Sequence, residues 1–145
     1  MKIGIKRLKS SAKLPTRGSS SAAGYDLYAC IDDCNDVVIK SGETVKIGTG
    51  ISLEVPEGYF GAIFARSGLA VKGLRPANCV GVADSDYRGE YIVALHNDSS
   101  EDMKVLSGDR IAQLVIMPYL EVEFEEKQEL ESTARGEGGF GSTGK

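Results

Sequence analysis

Apolar and polar residues alternate in short runs along the chain: KIGIKRL, GYDLYAC, DVVIK, ETVKI, GISLEV, YFGAIFA, YIVALHN, MKVL, RIAQLVIMP and LEVEFEE. Alternation with a period of two turns one face of each run toward a core and the other toward water, and the β-branched content suits an extended backbone. Each run therefore predicts a strand. Turn-forming clusters such as KSGE, PEG and NDSSED separate them. Many strands without a crossover helix favour an all-β fold, a closed barrel or jelly roll, over a parallel α/β sheet. One short helix is expected at RSGLAVKG, with Ser67 as N-cap and Gly73 at the C-terminal stop. The stretch KSSAKLPTRGSSSAAG and everything after about Ser132 lack the alternation and read as irregular.

Composition changes the picture by exclusion. With 145 residues and 41% hydrophobic content, one domain can bury a core without disulfides or metal. A net charge of -4 and a pI near 5.1 argue against a general surface for nucleic acid or anionic membrane, so an anionic ligand must be met by local cations. The start, MKIGIKRLKSSAKL, has no apolar h-region, and no run approaches the roughly 18 apolar residues of a membrane span. A cytoplasmic protein is expected. Cys30, Cys34 and Cys79 are too few for a disulfide framework and have no Cys or His pair to complete a zinc site, so they are expected as reduced thiols. The 18 glycines cluster in SAAGYD, RSGLAVKG, VGVADSDYRG and the tail, beside charged residues, as they do where backbone approaches a ligand.

The tail RGEGGFGSTGK contains Gly139, four residues, Gly144 and Lys145, the G-x-x-x-x-G-K part of a P-loop. No helix follows to present its N-terminal amides, so the P-loop reading fails. Its chemistry still suits a nucleotide: Arg135 can fork onto phosphate, Ser142 offers a hydroxyl, the glycine amides can line a nest, and Phe140 offers a flat face to a base. The plainer reading is an unstructured end. In NCVGVADSDYRGEYIV, Asp84, Asp86 and Gly89 imitate a calcium loop, but Arg88 and Leu95 occupy ligand positions. Calcium is rejected, leaving either a β-hairpin with a polar loop or a carboxylate held over a water as general base. FARSGLAVKG is either a capped turn or an anion site in which Arg66, the Ser67 hydroxyl and free amides converge. AGYDLYA supplies Asp26, GDRIAQLVI supplies Gln113, and the lone histidine, His96, lacks partners for a metal or triad role.

AGYDLYA, RSGLAVKG, NCVGVADSDYRGE, GDRIAQLVI and RGEGGFGSTG, in this order and spacing, resemble the five motifs of the trimeric dUTPase family. The resemblance implies a jelly-roll-like β-barrel over residues 1–134, assembled as a homotrimer with active sites shared between subunits. It also implies that residues 135–145 form a mobile arm closing over the active site of another subunit. The implied reaction is Mg²⁺-assisted hydrolysis of dUTP to dUMP and pyrophosphate, which limits uracil in DNA and supplies dUMP for thymidylate synthesis. By resemblance, Asp84 is the base that activates water for attack on the α-phosphorus, and Gln113 orients that water. The backbone from Asn78 through Gly81, Val82 and Ala83 to Asp84 would hydrogen-bond uracil, and Tyr87 would pack on deoxyribose. Arg66, Ser67 and Gly68 would hold phosphates, while Asp26 would contact Mg²⁺ through water. Phe140 would stack on uracil, with Arg135, Gly141 and Ser142 enclosing the outer phosphates. Two positions depart from the usual pattern: Ala83 stands where Ile or Val is commoner, which weakens packing behind Asp84, and Ala65 where Pro often stands. The rival readings are a dCTP deaminase-like enzyme, against which DSDY, Arg135 and Phe140 weigh, and a nucleotide-sensing trimer that regulates a protein partner.

Overall fold

A computed structural model describes residues 1–31 and 36–141 of the chain. In it the alternating runs become β1 (Gly4–Arg7), β2 (Thr16–Arg17), β3 (Tyr25–Tyr28), β4 (Asp36–Ile39), β5 (Thr44–Gly48) and β6 (Ile51–Glu54). These are followed by β7 (Tyr59–Phe64), the helix α1 (Ser67–Ala70), β8 (Leu74–Pro76), β9 (Val80–Ala83), β10 (Ile92–Asn97), β11 (Met103–Leu106) and β12 (Arg110–Pro118). The pairing is nested: β3 lies antiparallel to β12, β4 to β11 and β5 to β10. Early strands therefore run back along late ones as one ribbon rolled on itself, the topology of a jelly roll. The all-β expectation holds.

The ribbon divides into four sheets, the largest with strand order β2-β3-β12-β7-β9. Each sheet sends apolar side chains into one core: Leu27 from β3, Ile39 from β4, Ile51 from β6, Leu95 from β10 and Val105 from β11 are all at most 2% exposed. Burying side chains of this size is worth about 1.5–3 kcal/mol each before entropy is counted, so this shared core holds the sheets together. Cys30 is buried and Cys79 exposed, both as free thiols, and Cys34 lies outside the described residues.

Three local expectations are corrected. LEVEFEE, residues 120–126, forms no strand, and Leu120, Val122 and Phe124 stay exposed because no strand edge of this chain reaches them. The segment around Asp84 is not a hairpin: β9 pairs with β7 in the large sheet, whereas β10 lies between β5 and β8 in another. The intervening residues cross between sheets. In α1, the N-cap is Arg66 rather than Ser67, extended at φ -86° and ψ 128° with no side-chain cap. Only Ala65 separates β7 from the N-cap, so the change of backbone falls one residue earlier. Gly73 ends the turn as expected, at φ +89° with its amide donating to the Ala70 carbonyl.

Candidate active site

One row across the large sheet assembles the first group of side chains. Thr16, Asp26, Gln113, Phe64 and Val80 are successive cross-strand neighbours on β2, β3, β12, β7 and β9. Directly opposed residues share a sheet face, so Asp26, Gln113 and Phe64 point the same way. Arg66, just past the end of β7, donates from Nε to Asp26 Oδ1 at 2.7 Å. Arg110, at the start of β12, donates to the other oxygen at 3.3 Å, while Arg66 Nη1 also reaches the Arg110 carbonyl at 3.3 Å. The Asp26 side chain is only 13% exposed, so the ion pairs are partly shielded from water and fix both arginines. Gln113 Nε2 donates to the Ala65 carbonyl at 2.9 Å. A Cβ on Gly24 would stand 2.6 Å from Gln113 Oε1, so glycine leaves the space the amide occupies. Ser67 and Gly68, exposed beside Arg66, contribute first-turn amides that a helix leaves without intrahelical partners.

A second group stands on β9. This strand pairs only with β7, so its other edge presents peptide N–H and C=O groups without strand partners among the described residues. Gly81 permits the close pairing, since a Cβ there would meet Ile63 Cβ at 3.1 Å. Asn78 is exposed at the entry turn, where Cys79 adopts φ +62°, and Val82 is 64% exposed. Asp84 follows Ala83 at the end of the strand. Its exposed carboxylate makes no hydrogen bond or ion pair among the described residues, while its carbonyl accepts the Tyr87 amide at 3.1 Å. Tyr87 donates its hydroxyl to the Glu90 carbonyl at 2.8 Å. The crossing is fastened to β6 and the turn before it: Ser52 Oγ donates to the Arg88 carbonyl, the Gly50 amide to Glu90 Oε1 and Thr49 Oγ1 to the Tyr91 carbonyl.

The two groups do not meet within one chain. Val80, not Asp84, lies in the row of Asp26 and Gln113, and Asp84 is four residues further along an edge strand separated from β12 by β7. At sheet spacings this is about 13 Å along the strand and about 10 Å across it. General-base catalysis needs contact at roughly 3 Å, or through one water. The described part of the tail joins neither group: Arg135 Nε donates to the Gly138 carbonyl at 2.7 Å, and Phe140 and Gly141 are exposed. Ser142 lies outside the described residues.

Arg110 was not singled out by the sequence, although GDRIAQLVI contains it; a charge at the start of a strand reads as solvent-facing. Beside Arg66 lies a pocket of about 310 Å³ whose lining includes Lys72, Lys104 and Arg110. Its cations outnumber its one carboxylate, Asp109, although Lys104 is paired with Asp36 and both arginines with Asp26. Among the described residues no cluster of three His, Cys, Asp or Glu side chains can hold a metal ion. Any divalent ion at Asp26 must take most of its ligands from elsewhere, as Mg²⁺ does when phosphates and waters supply its oxygens.

The chain also resembles known proteins in sequence and in fold. A family model described as dUTPase matches residues 10–144. The deoxyuridine 5'-triphosphate nucleotidohydrolase of Hydrogenobaculum is 49% identical, with 99% of each chain covered. A point mutant of the dUTPase of Staphylococcus bacteriophage 80alpha, solved with dUpNHpp, superposes with a TM-score of 0.86 at 30% identity, covering 99% of this chain and 98% of that one. A point mutant of the dUTPase of phage phi11 of S. aureus, described with a structural Mg(II) ion, gives a TM-score of 0.80 at 25% identity, covering 91% of this chain and 100% of that one.

Proposed function

Because this chain belongs to the dUTPase family, we propose that it hydrolyses dUTP to dUMP and pyrophosphate at sites completed between copies of the chain. The observation that carries this reading is the division of the site into two groups too far apart to act in one chain. Asp84 of one copy serves the Asp26, Arg66 and Gln113 group of another. A closed ring of three copies satisfies such a heterologous contact at every subunit. The exposed apolar alternation of Leu120, Val122 and Phe124 supports assembly, because it is a strand face prepared for a surface its own chain does not provide.

Asp84 accepts a proton from water, and the water oxygen attacks the α-phosphorus. The bond from that phosphorus to the bridging oxygen breaks, and the electron pair leaves with pyrophosphate. Gln113 orients the water with its amide. Arg66, with the amides of Ser67 and Gly68, offsets charge on the phosphate oxygens, and Arg110 keeps Asp26 and Arg66 aligned. A Mg²⁺ bound with the triphosphate would supply charge neutralisation at the phosphates, and Asp26 is the residue that would hold it, through a water. The free edge of β9 from Asn78 to Asp84 reads the uracil edge, and Tyr87 covers the deoxyribose. Arg135, Phe140, Gly141 and Ser142 close over the nucleotide as an arm, excluding water.

The test is a panel assay with Mg²⁺ and each of dUTP, dTTP, dCTP and UTP, measuring pyrophosphate and ammonia. dUTP is expected to be hydrolysed far faster than the others, because fixed hydrogen-bonding groups reject analogues that leave them unpaired. Comparable rates on dCTP or UTP, or ammonia from dCTP, would overturn the reading.

A further inference from the structure

Ala83, the residue before Asp84, is buried on β9 directly opposite Gly61 on β7. Between them this cross-strand pair offers one methyl group, so it leaves a gap in the core layer next to Asp84. The Tyr91 ring shares it with Leu114. Tyr91 is 1% exposed, and a methyl placed on Gly61 would stand 3.1 Å from Leu114 Cδ1, 3.2 Å from the Tyr91 hydroxyl and 3.5 Å from Ala83 Cβ. The hydroxyl is buried without a partner among the described residues, so the ring is held here by shape and not by a hydrogen bond. Burial, reinforced by the neighbouring Tyr87 and opposed by Arg88, raises the phenol's pKa and keeps it neutral at ordinary pH.

The other side of the ring meets Tyr87, with centroids 6.0 Å apart and planes tilted by 52°. Tyr91 is also the point at which the crossing is tied down: its amide donates to the Ile51 carbonyl, and its carbonyl accepts from both the Thr49 amide and the Thr49 hydroxyl. One buried ring thus touches the space beneath the base-bearing strand end and the back of the sugar-covering ring.

We propose that Tyr91 is a positioning residue for dUTP hydrolysis, size-matched to Ala83, which sets the places of both Asp84 and Tyr87. This rests on the reading of Asp84 as base and Tyr87 as sugar contact. Because the ring acts by volume, Tyr91→Phe keeps the function and removes an unpaired buried oxygen. Tyr91→Leu opens the gap, and Ala83→Ile overfills it while Tyr91 remains. The two size errors offset each other in the double variant.

The experiment is a double-mutant cycle on the assembled full-length protein, read by Tm, by kcat and KM for dUTP, and by the ratio of dUTP to UTP hydrolysis. Tyr91→Phe is expected to keep kcat within about twofold and to raise Tm. Tyr91→Leu is expected to lower kcat about tenfold and the dUTP preference with it, while KM moves by less than about threefold, because a misplaced base costs rate rather than binding. Ala83→Ile alone also lowers kcat and Tm, and A83I with Y91L returns kcat to within about threefold of the starting protein. A folded Tyr91→Leu protein with unchanged kcat and selectivity overturns the inference, as do single-variant losses that simply add in the pair. A starting protein that releases no pyrophosphate from dUTP overturns the function instead, and the Tm cycle still reports whether Ala83 and Tyr91 are matched.

Discussion

Two carboxylates on one sheet are treated in opposite ways. Asp26 lies within β3, 13% exposed, with a guanidinium on each oxygen. Asp84 stands beyond the last residue of an edge strand, exposed, with its side chain unpaired among the described residues. The first is fixed by side-chain ion pairs that leave it little freedom, as suits a group that arranges others. The second is placed by backbone, through β9 on one side and the fastened crossing on the other, and its oxygens remain open to a water. The proposed mechanism asks for one acid that orders a site and another that takes a proton, and the surroundings of these two carboxylates differ in that sense.

The sharpest way to break that contrast is to neutralise the open acid. Asp84→Asn keeps the shape and removes the proton acceptor, so kcat should fall by about 10²-fold to 10⁴-fold while a non-hydrolysable dUTP analogue still binds. Asp86→Asn is the matched control and should change kcat far less; if it abolished turnover and Asp84→Asn did not, the base would be misassigned. Deleting residues 136–145 should come next. Turnover should drop by about tenfold to 100-fold with Tm scarcely changed, because the described part of the tail contributes nothing to the core. A truncated protein with full activity would leave the tail as an ordinary unstructured end. The smallest effect tests the ordered group: Gly24→Ala intrudes to 2.6 Å of Gln113 Oε1, the far end of a movable side chain. Displacing that amide should lower kcat about fivefold to tenfold with little loss of stability, measured by parallel kinetics and melting.

Most of the fold was legible because period-two alternation survives wherever one strand face meets the core, as in YIVALHN, whose Val93, Leu95 and Asn97 are buried at every second position. Thr16–Arg17 and Leu74–Pro76 were too short to show it. LEVEFEE shows alternation without a strand because a pattern announces a face to be covered and not which chain covers it. Of the site, Asp26, Arg66 and Gln113 were legible by their motifs, and the structure gathers them. Arg110 and Tyr91 were not, since an arginine at a strand start and a tyrosine in an apolar run look ordinary until register and packing place them. We infer that the weakened packing expected behind Asp84 from Ala83 is offset by Tyr91, which lies in the crossing just before β10.

The claim that sites are completed between copies is tested most directly by mixing two inactive chains. Asp84→Asn lacks the base, and Arg66→Ala lacks a phosphate contact while leaving Asp26 paired with Arg110. If each site draws these groups from different copies, refolding the two variants together in equal amounts should restore about one quarter of the unmodified activity, because that share of sites receives both intact groups. Mixing without reassembly should restore none. Activity that stays at the level of the separate variants after verified co-assembly would place both groups in one chain and contradict the account.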